Sequence, residues 1–74
     1  MHVNEITIRA TEHASAHEAL QHLACSGDDH AVVVGNKYLT LKQAEVEKLA
    51  AAGIELAYLV DHHGKIMTIP VNDR

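Results

Sequence analysis

The chain contains no Phe or Trp, and only two Tyr, one Cys, one Pro and six Lys and Arg among its 74 residues. Each scarcity closes a class of function. Without large aromatic rings there are few platforms for stacking bases. A formal net charge of -4 at pH 7 removes the basic footprint that nucleic acids require, so no nucleic-acid partner is expected. Apolar runs stay at strand length, far below the ~20 residues of a membrane helix. The start Met1-His2-Val3-Asn4-Glu5 has neither a basic flank nor an apolar stretch, so no membrane association and no standard export signal are expected. A lone Cys25 can form neither an internal disulfide nor a thiolate metal site, and the expected location is cytoplasmic.

What is present describes one small folded domain spanning 1–74. The composition is 47% hydrophobic and 22% charged, outside the range of disordered chains. With no large aromatics, the core has to come from Val, Ile and Leu. So short a chain holds a limited core, which favours added stabilisation through self-association. The outstanding excess is seven His. Protonating all of them would carry the net charge from -4 to +3, so the sign changes where imidazoles titrate.

Hydrophobic periodicity and capping residues divide the chain into short elements. Ile6, Ile8 and Ala10 alternate with Thr7 and Arg9, predicting a strand over 3–9. Ser15 followed by Glu18 forms a capping-box pattern and Gly27 is suited to a left-handed stop, predicting a helix over 16–26 with Ala16, Ala19, Leu20, Leu23 and Ala24 inside. Ala31 to Val34 is apolar throughout, as in a strand buried on both faces. Gly35-Asn36 suits a hairpin that returns as a strand over 37–40. Thr40 to Gln43 reads as a second capping box for a helix over 41–52, with Val46, Leu49 and Ala50 inside and Gly53 and Ile54 closing it. Two final strands, over 56–60 and 65–69, are joined by a four-residue loop, Asp61 to Gly64. Pro70 marks the last of them as an edge or a strand end.

No motif assigns an activity. Asp61-His62-His63 matches the three-letter signature of one group of metal-dependent phosphoesterases, but those need a much longer, two-domain chain, and the triplet reads as a turn. His13 and His17 have helical zinc spacing only if the helix starts before Ser15. Cys25, in the last turn of a helix, faces the wrong end of the dipole for a thiolate and is expected to be a buried or half-buried small residue. Leu39 to Ala44 has the look of a helix-turn-helix opening, yet strands follow where the second helix should be.

The fold expected is α+β, a two-layer sandwich of order β-α-β-β-α-β-β, with both helices on one face. It resembles the ferredoxin-like pattern with an added C-terminal strand. That arrangement collects His2, His30, His62 and His63 at one pole with Asp28, Asp29 and Asp61, a candidate site for a divalent metal such as zinc or nickel or for proton sensing. The expected function is a non-catalytic interaction module that binds itself, as a homo-oligomer, or another protein, aided by an apolar face at Met67, Ile69 and Val71. A histidine-dependent metal-binding or pH-responsive protein is the alternative. No cofactor is otherwise expected.

Overall fold

The computed structural model describes residues 2–3 and 6–71. The chain is a small α+β fold of two antiparallel sheets and two helices. Strands β1 (His2–Val3) and β2 (Ile6–Thr7) pair with each other. They are followed by β3 (Ala10–His13), α1 (Ala16–Cys25), β4 (His30–Val34), β5 (Lys37–Leu41), α2 (Gln43–Ala51), β6 (Ala57–His62) and β7 (Lys65–Pro70). The five longer strands form one sheet in the order β3-β5-β4-β6-β7.

The expected strand over 3–9 is replaced by two short strands, with the next, β3, starting only at Ala10, and its residues 4–5 lie outside the described residues. Its inward pattern survives the break. Ile8 is buried, and Val3, Ile6 and Ala10 pack against the same core.

The strand order differs from the ferredoxin-like expectation. Both β3-α1-β4 and β5-α2-β6 are crossovers between parallel strands with one strand left between them. The two crossovers step across the sheet in the same direction, although their strands run in opposite directions. Right-handed connection of both units therefore puts their helices on opposite faces. The cores agree. Val32, Val34, Leu39 and Leu41 cluster with Val46 and Leu49 of α2, while Ala31, Val33, Tyr38 and Leu59 cluster with Ala16, Ala19, Leu20 and Leu23 of α1. Each helix forms a two-layer α+β sandwich with its own side of the sheet. This explains the all-apolar β4: Val32 is fully buried and Ala31 2% exposed, which a central strand between two helices requires.

The caps were read in part. Ser15 Oγ accepts from the Glu18 N–H at 3.2 Å, and Glu18 Oε2 accepts from the Ala14 N–H. Gly27 is not left-handed; α1 ends through extended Ser26, and Ala24 is exposed. Gly53 (φ 78) does close α2. Ile54 N–H donates to Leu49 O and Gly53 N–H to Ala50 O, the paired bonds of a Schellman end.

Thr40 is not a cap. It lies within β5 and is fully buried. Helix α2 begins two residues later than expected and is capped from a distance: Asp29 Oδ2 accepts from the Gln43 N–H at 2.8 Å. Among the described residues, no helix is long and apolar enough to cross a membrane.

Candidate interaction edge

The β6–β7 hairpin turns through two residues, not four. His62 pairs directly with Lys65, and His63 (φ 52) and Gly64 (φ 81) are both left-handed, the type I′ pattern whose twist matches the flanking strands. Asp61 braces the turn by accepting from the Gly64 N–H at 3.0 Å.

This turn determines what β7 presents at its outer side. A two-residue hairpin closes with its flanking pair bonded in both directions, and bonded pairs then alternate along the ladder. Lys65, Met67 and Ile69 thus turn their backbone groups toward β6. Ile66 and Thr68 turn theirs to the open edge, together with the carbonyl of Pro70. Val71, whose N–H donates to Leu56 O, continues the inward series. Pro70 lacks an N–H on the side where no partner strand needs it, as proline in an edge strand should.

Side chains on β7 are as open as its edge. All six residues of the strand are exposed. Met67 and Ile69 are each 50% exposed and Ile66 40%. Both core clusters take residues from β6 and none from β7, the outermost strand of the sheet. Of the apolar face expected at Met67, Ile69 and Val71, the first two are exposed and Val71 is half-buried against the core. Ile66, on the opposite side of the strand, was missed; β7 alternates too weakly to reveal that both of its faces are uncovered.

The histidines do not converge. His30 is at the start of β4, its Nε2 bonded to Gln43 Oε1 and its ring 4.7 Å from that of Tyr58. His62 and His63 contact each other at the hairpin turn, ring centroids 4.4 Å apart, at the same end of the sheet. His2 lies at the other end, bonded through Nδ1 to Thr7 Oγ1 at 3.2 Å. It lines a shallow cavity of about 420 Å³ with Val34, Gly35 and Lys37. The starts of β3 and β4 and the β6–β7 turn do share one end, but the expected first strand is broken, and the β1–β2 hairpin carries His2 away from it. Among the described residues, no three His, Cys, Asp or Glu stand together as a metal centre needs.

His13 ends β3 and His17 lies in the first turn of α1, with capping Ser15 between them, so they form no helical pair. His13 instead bonds through Nε2 to buried Thr40 Oγ1 at 3.0 Å and packs against the His22 ring, centroids 4.8 Å apart. Cys25 is exposed, contrary to the buried or half-buried position expected. Near the start of β3, Glu45 Oε1 accepts from the Arg9 N–H at 3.2 Å and pairs with Lys48 at 3.3 Å. The Arg9 backbone bond chiefly, helped by Lys48, holds the Glu45 carboxyl below the ordinary glutamate range.

Comparison of the chain with protein-family models, with curated proteins and with solved structures gives no match.

Proposed function

We propose that the chain is an interaction module, acting by binding and not by catalysis, whose binding element is the open edge of β7. The observation that carries this reading is a six-residue edge strand exposed along its length, with half-exposed apolar side chains on both faces. Such an edge accepts a further strand through main-chain hydrogen bonds, and the side chains above and below supply the apolar contact. Most proteins protect edges of this kind with charge or cover; β7 has one charge, Lys65, and it is at the end. The partner is a protein strand, from a different chain or another copy of this one.

A histidine-dependent metal or proton sensor has less support, since imidazoles meet only in pairs, His13 with His22 and His62 with His63. Adding an alternating Thr-Val hexapeptide while following backbone amide resonances tests the edge reading. Shifts at Ile66 and Thr68 without shifts at Ala10 and Glu12 are expected. Unmoved β7 amides, or equal movement at β3, would overturn it.

A further inference from the structure

Resting on the edge reading, we infer that the strand β7 takes up is β7 of a second copy, antiparallel and related by a twofold axis at Met67. The hydrogen-bond positions are self-complementary in this register. The outward N–H and C=O of Ile66 meet those of Thr68 in the other copy, and the reverse, so each free N–H of the strand finds an acceptor. Pro70 falls past the end of the ladder, where its missing N–H costs nothing. With the axis at Thr68, Ile66 would face Pro70 and lose a bond at each end. With the axis at Ile66, Thr68 would face the Gly64 turn.

Side chains fit the same register. Met67 faces Met67, Ile66 faces Thr68 across the opposite surface, and Lys65 lies beside Ile69, which its aliphatic stem can cover. No like charges are opposed. As the outermost strand with all six residues exposed, β7 is open to a second copy that approaches edge to edge. A single ladder flanked by Ile66, Met67 and Ile69, exposed by 40, 50 and 50%, falls below the ~1,200 Å² at which standard interfaces begin. The dimer is therefore reversible.

Cross-linking tests the register. Met67 at the axis is a non-hydrogen-bonded pair, with Cα atoms about 4.5 Å apart, within disulfide reach. In a Cys25→Ser background with oxidised glutathione as oxidant, Met67→Cys is expected to form a disulfide dimer at least tenfold faster than Ile69→Cys or Glu12→Cys. Equal rates, or a faster Ile69→Cys, would overturn the register. Sedimentation of the unmodified chain is expected to show a concentration-dependent monomer–dimer equilibrium. A monomer at every concentration would overturn the second copy as partner, leaving strand uptake to be judged by the peptide shifts.

Discussion

The two edges of the main sheet are built in opposite ways. Strand β3 has four residues and β7 has six. By the same alternation, the hairpin between Val34 and Lys37 directs Tyr38 and Thr40 of β5 toward β3, where they meet His13 and Thr11. Ala10 and Glu12 are left facing outward. A charged residue, Glu12, thus stands on the β3 edge, and a second copy paired about Glu12 would oppose two carboxylates, whereas pairing about Thr11 would set Glu12 against Ala10. Helix α1 also lies against β3, and the His13 ring is held between Thr40 and His22. At the β7 edge the corresponding outward residues are Ile66 and Thr68, both uncharged, and neither core cluster extends over them. One sheet therefore carries a guarded edge and an open one. Openness at β7 is local: it belongs to the outermost strand, whose neighbour β6 still supplies Tyr58 and Leu59 to the two cores.

The largest effects that sharpen this contrast concern burial. Leu41, fully buried and paired with Ala10 of β3, should cost about 2–5 kcal/mol when changed to Ala. Ile69→Ala on β7 should cost less than ~1 kcal/mol in the monomer, since half of its surface is already in water. Urea unfolding of dilute protein measures both, and similar losses would contradict the open edge.

Next is the turn that carries β7. Gly64→Ala meets no steric neighbour but must adopt φ +81, a strain of roughly 1–2 kcal/mol. Gly27→Ala, where φ is not left-handed and an added Cβ would sit 3.8 Å from Lys42 Nζ, should stay within ~0.5 kcal/mol of the parent. On the guarded side, Thr40→Val removes the His13 partner and should cost about 1 kcal/mol, with the His13 ring resonances shifting while those of His62 remain in place.

The smallest effect is a pH dependence near β3. Because the Glu45 carboxyl is held below its ordinary range by the Arg9 N–H and Lys48, its contribution is present above the unfolded glutamate pKa and is lost as pH falls through the lower folded value. Glu45→Gln should flatten that part of the acid limb in thermal unfolding without changing self-association. An unaltered acid limb would remove Glu45 from the account.

Local geometry was largely legible in the amino acids. Ser15, Gly35, Gly53 and Gly64 each act through short-range sterics or a bond a few residues away, and the elements they bound fall close to expectation. Three features escaped. Strand β3, Ala10-Thr11-Glu12-His13, has no apolar alternation because an edge strand can be polar, so only its pairing with β5 reveals it. The strand order depends on long-range pairing, and the ferredoxin-like pattern placed β4 near an edge. The better clue was present in Ala31 to Val34, whose composition demands a central position. The histidine expectation failed for a separate reason: His30, His62 and His63 do share an end of the sheet, while the break of the expected 3–9 strand into the β1–β2 hairpin takes His2, paired with Thr7, to the other. Asp29 as a cap for α2 could not be read at all, because its acceptor oxygen reaches a helix 14 residues away in sequence.

Amide hydrogen exchange as a function of protein concentration tests the central claim most directly, because it reads both edges in one sample. The expected result is that Met67 and Ile69 amides are protected at all concentrations. Ile66 and Thr68 should exchange fast when dilute and slow at least tenfold when concentrated, with Glu12 fast throughout. Concentration-independent exchange at Ile66 and Thr68, or protection that grows at Glu12 instead, would contradict it.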